Sequence, residues 1–246
     1  MITKSDIKYI QSLAHKKFRE EEGVFIIEGV KMVGELIQEF PETIVNLYAT
    51  QHWVNENCPQ ELTGFHVIVI DEITLGKISQ LKTPNQVVAV VKIPKQIPQS
   101  NPLGNWVLVL DQIQDPGNLG TIIRTCDWFG IENIVCSLDT VDAYNPKTVQ
   151  SAKGSLLRIN IQYFDLITFL SSKKGVPVYA AALDGTSIHT IDVEGPAIIV
   201  IGNEANGISK EILAFATQKI TIPKIGKAES LNAGIATAII LSNLVR

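Results

Sequence analysis

The chain has 246 residues, 46% of them hydrophobic and 19% charged, with a formal net charge of −4. That length suits one large globular domain or two small ones, and the mild acidity excludes a protein basic over its whole surface, so any RNA contact must be a local patch. No apolar run reaches membrane-span length, the opening MITKSDIKYI lacks signal-peptide character, and Cys58, Cys126 and Cys136 are odd in number without a CxxC, which reads as reduced thiols of a cytoplasmic protein. The histidines at 15, 52, 66 and 189 are scattered without ligand spacing, so no metal is expected.

Residues 1–35 read as helix, strand, helix, with Ser5 able to cap the first helix and Val24–Ile27 as a β-branched run. Further strand-like runs at Ile44–Ala49, His66–Ile70 and Gln86–Ile93, with short helical stretches between them, predict a small α/β domain over residues 1–97. Lys16, Lys17 and Arg19 form a basic cluster followed at once by Glu20-Glu21-Glu22. Two readings stand side by side here, a solvated helix face and an RNA-contacting patch.

The stretch IPKQIPQSNPLGN changes composition to proline, glycine and polar residues, which places a linker at 98–104. From 105 to 246 the strand–helix rhythm is strong. Trp106–Leu110 suits a strand buried on both faces, Asn118–Phe129 a helix, Ile134–Cys136 a strand and Pro146–Lys153 a short helix. Strand Leu156–Ile161, helix Asp165–Lys173, strands Val176–Ala182 and Ala197–Ile201, helix Gly207–Ala216, strand Lys219–Ile222 and helix Ala233–Val245 follow. The expected fold is a mostly parallel sheet with helices on both faces.

Three loops leave the carboxyl ends of apolar strands, where open α/β sheets bind ligands: Asp111–Gly120, Ile201–Gly207 and Pro223–Asn232. None is a GxGxxG or Walker loop, which argues against ordinary dinucleotide or nucleoside triphosphate binding. Taken singly, each polar residue has a bland explanation. Asp115-Pro116-Gly117-Asn118 makes a good turn, Arg124 a surface residue, Glu204 a partner for a helix dipole, Ser230 or Asn232 a cap, and Cys126 a small buried hydrophobe. Their coincidence at successive strand ends is harder to explain by structure alone.

NLGTIIRTCDWFG (118–130), IVIGNEANGIS (199–209) and IPKIGKAESLNAGIA (222–236) resemble, in order and spacing, the three motifs of the SpoU (TrmH-type) RNA ribose methyltransferases of the SPOUT superfamily. NPKTVQSAKGS (145–155) is similar to the segment these enzymes carry between the first and second motifs. KYIQSLAHKKFREEEGVFIIEG (8–29) is similar to the L30e-like RNA-binding domain found ahead of many members, and LKTPNQVVAVV (81–91) fits its end. Lys224, Ala205 and Ala233-Gly234 depart from the residues usual in the motifs, and none of them removes a residue expected to act in catalysis.

The resemblance implies a SPOUT fold with a deep trefoil knot at the carboxyl end, where the last helix threads a loop, a topology that ordinary chain rules make rare. It implies a homodimer, S-adenosylmethionine as cofactor, no metal, and methyl transfer to a ribose 2′-hydroxyl of structured RNA, ribosomal before transfer RNA. A non-catalytic RNA-binding assembly factor is the competing class. The resemblance assigns catalysis to Arg124, Asn118, Glu204, Ser230 and Asn232, cofactor binding to the loops at Leu183, Gly202, Ile222 and Leu231, and RNA contact to Lys16, Lys17 and Arg19. Arg124 is expected either to take the hydroxyl proton or to clamp a phosphate.

Overall fold

Two groups of β-branched runs build two separate sheets. The computed structural model describes residues 2–57, 66–95, 106–193 and 195–245, so the expected linker at 98–104 lies outside the described residues. The chain divides into two compact units: Met1–Lys95 with Tyr144–Leu157, and Gln96–Ala143 with Arg158–Arg246.

In the first unit, β1 (Val24–Glu28), β2 (Ile44–Ala49), β3 (His66–Val69) and β4 (Val87–Lys92) form a sheet in the order β1-β4-β2-β3. β4 runs antiparallel to both neighbours, whereas β2 and β3 are parallel. β1 is buried along its whole length and β4 along all but Lys92, so both read as continuous apolar runs and not as an alternation. Helices α1 (Lys4–Ser12), α2 (Lys16–Glu22), α3 (Val30–Glu39), α4 (Gln51–Asn57) and α5 (Glu72–Ile78) surround the sheet. Ile10 and Leu13 beside α5's Leu75 and Ile78 close one core over Val24, Ile26, Val88 and Val90.

Two sequence expectations change here. Thr3, not Ser5, caps α1, in a reciprocal pair with Asp6: the Asp6 amide donates to Thr3 Oγ1 at 3.1 Å and the Thr3 amide to Asp6 Oδ2 at 2.8 Å. Arg19 does not stand beside Lys16 and Lys17 on an open basic face. It is 3% exposed, and its Nη1 donates to the Leu13 and Ala14 carbonyls at 2.8 Å each, tying α2 to the end of α1. Lys16 and Lys17 are exposed and pair with Glu20 and Glu21 one turn on, at 3.6 and 3.8 Å. Exposed pairs of this length contribute little to stability and leave both lysines at the surface.

In the second unit, β5 (Val107–Leu110), β6 (Asn133–Cys136), β7 (Asn160–Tyr163), β8 (Val178–Ser187), β9 (Ile198–Ile201) and β10 (Gln218–Thr221) lie in the order β10-β8-β9-β5-β6-β7, and every pairing is parallel. Central β5 and β9 are buried throughout, as four-residue apolar runs between helical layers must be. Val107 and Val109 pack with helices α9 (Leu166–Ser171) and α10 (Lys210–Leu213) on one face. α6 (Pro116–Trp128) and α11 (Ala233–Leu244) pack against each other. From β5 the strand order proceeds outward through β6 and β7 on one side and begins again at β9 on the other, so the topological switch point falls between β5 and β9.

The inter-motif segment belongs to the first unit, where α7 (Pro146–Ala152) packs on β1 and the Tyr144 ring lies 4.8 Å from that of Phe25. Residues 156–158 do not begin a strand as expected: Ser155–Arg158 is a helical turn, α8, and β7 starts at Asn160 because pairing to β6 begins only there, opposite Asn133. The helix expected from Gly207 to Ala216 shrinks to α10, because Gly207 exchanges both main-chain hydrogen bonds with Asn203.

The β8–β10 pairing jumps from Ala180 opposite Lys219 to Thr186 opposite Ile220, so residues 181–185 leave the ladder. At its far end Gly185 passes so close to β10 that a Cβ would sit 2.6 Å from the Ile220 backbone. The exposed Asp184 pairs with Lys219 at 2.8 Å across the same gap.

Glu28 closes the first sheet: Ser79 Oγ donates to its Oε2 at 2.5 Å and the Gln80 amide to its Oε1 at 2.6 Å. Burial pushes its carboxyl above the ordinary glutamate value, and these two bonds only partly offset the rise. A raised acid pKa means that the folded unit binds the proton more tightly than the unfolded chain. Stability from Glu28 is therefore full below the ordinary value of 4.5 and falls as pH rises through the folded pKa. Urea unfolding of the wild type against Glu28→Gln across this range is expected to show the decline only in the wild type.

Candidate functional site

The three loops expected to carry the site all lie in the second unit, at the carboxyl ends of β5, β9 and β10. Asp115 ends the first loop as the cap of α6, accepting from the Asn118 amide at 2.9 Å with Pro116 in the first turn. The second loop leaves β9 at Gly202, where a Cβ would lie 2.3 Å from the Gly207 backbone, so only glycine lets the loop fold back on itself. The third loop ends at Asn232, and it is Asn232 rather than Ser230 that caps α11, its Oδ1 accepting from the Gly234 and Ile235 amides at 3.0 and 3.3 Å.

Side chains from the three loops then meet in a line. Asn232 Nδ2 donates to Asn118 Oδ1 at 2.7 Å, and Asn118 Nδ2 donates to Glu204 Oε1. The polarity of this line is fixed from both ends. The first amides of α11 can only donate, so they take the Asn232 oxygen and leave its nitrogen for Asn118. Glu204 Oε1 accepts from the Asn118 nitrogen, which leaves the Asn118 oxygen for Asn232. Each amide has one orientation that satisfies both neighbours.

Arg124 is exposed on α6, and Ser230 is exposed in the third loop; neither side chain has a hydrogen bond or ion pair among the described residues. The structure thus joins Asn118, Glu204 and Asn232 directly and leaves Arg124 and Ser230 open to solvent. Leu183, 78% exposed, sits in the β8 excursion, where its carbonyl is 3.4 Å from Thr221 Oγ1, beside Ile222. Leu231 is also exposed, and Gly202 and Ile222 are half-buried. Cys126 is fully buried with Cys136, and burial pushes both thiols far above the ordinary cysteine value, so neither is a nucleophile. Among the described residues no cluster of His, Cys, Asp or Glu could hold a metal, and no helix is long and apolar enough to cross a membrane.

Sequence reasoning passed over the residues that hold the loops to the sheet. Asp111, 3% exposed, accepts at Oδ2 from the Ser209 amide and hydroxyl, both at 2.8 Å. Asn203 Nδ2 donates to the Gln112 carbonyl at 2.9 Å. The available signal was an acidic residue at the end of a fully apolar strand, which is buried only when partnered.

Residues 105–242 match the SpoU rRNA methylase family and residues 4–89 the MRM3-like substrate binding domain. Among solved structures, a protein described as an RNA methyltransferase of the TrmH family from Porphyromonas gingivalis is 35% identical, covers 99% of this chain and 98% of its own, and superposes with a TM-score of 0.87. The AdoMet-bound rRNA methyltransferase from Sinorhizobium meliloti is 31% identical over 99% of this chain and 95% of its own, with a TM-score of 0.84. The 23S rRNA (guanosine(2553)-2′-O)-methyltransferase RlmP of Bacillus subtilis is 32% identical, with 97% of this chain and 95% of that protein covered. Fold and loops together define a protein of the SPOUT methyltransferase class. Within that class, the chain belongs to the SpoU rRNA methylase family.

If Asn118 works as the middle of a directional line, Asn118→Asp sets a carboxylate against Glu204 and leaves Asn232 donating to an overloaded acceptor site. Urea titration at neutral pH is expected to show a loss of about 1–3 kcal/mol, larger than for Asn118→Ala, with the gap between the two narrowing on acidification.

Proposed function

We propose that the chain transfers the methyl group of S-adenosylmethionine to a ribose 2′-hydroxyl of structured RNA, with ribosomal RNA as the substrate. The observation that carries this reading is the Glu204–Asn118–Asn232 line, which ties the three family motifs together, with Arg124 exposed on the same helix as Asn118. RlmP of Bacillus subtilis, similar over nearly its whole length, supports ribosomal RNA over transfer RNA. Residues 1–97 serve to hold the RNA and residues 105–246 to carry out the transfer, in a cytoplasmic setting.

The residues present fit the cofactor. Gly202 and the β8 excursion lie with the exposed Leu183 and Leu231 side chains at the strand ends, a surface of small and apolar groups that suits an adenosine without opposing the positive sulfonium. When bound, S-adenosylmethionine supplies an electrophilic methyl group. The residues of the chain have two tasks: to orient the ribose hydroxyl about 3 Å from that methyl and in line with it, and to manage its proton. Asn118 and Asn232 are held in one orientation and serve the first task, with Ser230 as an open hydroxyl able to donate or accept. Arg124 has no competing partner among the described residues and is free to grip the phosphate next to the target ribose. A guanidinium holds its proton strongly, so Arg124 is better suited to gripping that phosphate and ordering the ribose than to taking the hydroxyl proton.

The active species is a homodimer. α6 and α11 pack together and still leave Trp128 84% exposed and Ile235 53% exposed, large apolar groups that a second copy would cover. α11, the segment assigned to the knot, carries apolar residues on all sides. Light scattering is expected to give twice the chain mass for the wild type and a shift to monomer for Trp128→Ser combined with Ile235→Glu; a wild-type monomer would remove this part of the reading.

Arg124→Ala tests the chemistry. Methyl transfer to ribosomal RNA is expected to fall by at least about 100-fold, while calorimetric affinity for S-adenosylhomocysteine stays within about threefold, because the side chain meets the RNA and not the cofactor. Equal loss of both would assign Arg124 a structural role.

A further inference from the structure

Asn203, next to Glu204, uses every polar group it has. Its Nδ2 donates to the Gln112 carbonyl at 2.9 Å, and its Oδ1 accepts from the Ala205 and Asn206 amides at 2.9 and 3.2 Å. Its amide and carbonyl pair with the carbonyl and amide of Gly207 at 3.0 and 2.9 Å. Residues 203–207 are therefore a closed loop, with Glu204 as the first residue beyond its base. The main chain closes that loop, and the Asn203 side chain ties its base to the end of β5.

The acceptor in that tie is unusual. Gln112 sits in the left-handed region with φ 59, and its amide donates to Ser137 Oγ at 2.9 Å. A non-glycine residue there costs on the order of 1 kcal/mol or more and persists only where neighbours over-determine it. Here one peptide group of Gln112 is held by Ser137 and the next by Asn203, so side chains from two other loops hold the strained residue. Asp111 adds a second tie through Ser209, beyond the far end of the same loop.

We propose that Asn203 is a positioning residue for methyl transfer. By clamping its loop to the Gln112 carbonyl it fixes the place of the Glu204 carboxylate, and through it that of Asn118, which Asn232 meets from the other side. The inference rests on the methyltransferase reading above. Its chemistry is specific: the residue at 203 must accept from two amides and donate to one carbonyl. An ionised aspartate keeps the acceptors and turns the donor into a repulsion, whereas a protonated aspartate restores an O–H donor.

The test is methyl transfer from labelled S-adenosylmethionine to ribosomal RNA by the full chain, comparing wild type, Asn203→Ala and Asn203→Asp over a range of about pH 5 to 8, well below each variant's melting temperature. Asn203→Ala is expected to lower kcat by about 10- to 100-fold while KM for the RNA stays within about threefold, because a small displacement of the reacting groups acts on the step and not on binding. Asn203→Asp is expected to be as impaired at the alkaline end, with its kcat relative to wild type rising as pH falls; Glu204 beside it moves that recovery to higher pH. A merely structural role lowers the melting temperature without this pH-dependent recovery. An Asn203→Ala kcat within threefold of wild type overturns the inference, as does an Asn203→Asp ratio that is flat with pH, which decides the matter if Asn203→Ala does not fold. A wild type that methylates no RNA refutes the methyltransferase reading, and this inference with it, whatever the variants do.

Discussion

The constraint on which the site depends is that an amide side chain has one end that donates and one that accepts. The α11 N-terminus presents only donors and Glu204 Oε1 accepts, so Asn232 and Asn118 between them can be satisfied in a single orientation. The line spans three strand ends, and it converts the dipole of one helix and the charge of one carboxylate into a fixed array of side-chain amides. The Asn118–Glu204 bond is half-buried, so losing either partner there would leave a group with part of its desolvation cost unmet. Preorganisation of that type is what in-line transfer asks of a site, because no reorganisation then accompanies the step.

The sheet supplies the geometry for the line. β5 and β9 are adjacent and parallel, so the loops that leave them emerge side by side at the switch point, and Gly202 lets the second loop fold back tightly enough for Glu204 to reach Asn118. On the other side, the β8 excursion opens the ladder between β8 and β10 for five residues and closes it again at Gly185, leaving Leu183 exposed at the strand end. Close backbone approaches at two glycines thus shape the regions assigned to the cofactor. The apolar packing of β5 and β9 between helical layers keeps those strand ends in place.

Legibility followed the length of the interaction. The four-residue runs of β5 and β9, the β-branched strands of the first sheet and the last helix were all readable, because burial on both faces leaves an uninterrupted apolar signature. Errors fell where a distant partner overrode local preference. Leu156–Arg158 looked like strand, but β6 offers no pairing before Asn160. Gly207–Ser209 looked like the start of a helix, but Gly207 is committed to Asn203 and Ser209 to Asp111. Arg19 looked like part of a basic patch, and two carbonyls at the end of α1 turned it inward.

The sequence by itself determined the fold class, the three loops and the residues assigned to them, because motif order and spacing are properties of one dimension. It also left Asn232 and Ser230 as alternative caps, and only the structure chose Asn232, since the choice depends on which side chain reaches both the helix amides and Asn118. Which polar residues join each other, and that Asn203, Gln112 and Asp111 hold the loops in place, were decided by tertiary structure alone. Those contacts link residues 86 to 114 positions apart, and no local preference encodes a hydrogen bond whose acceptor lies in another loop.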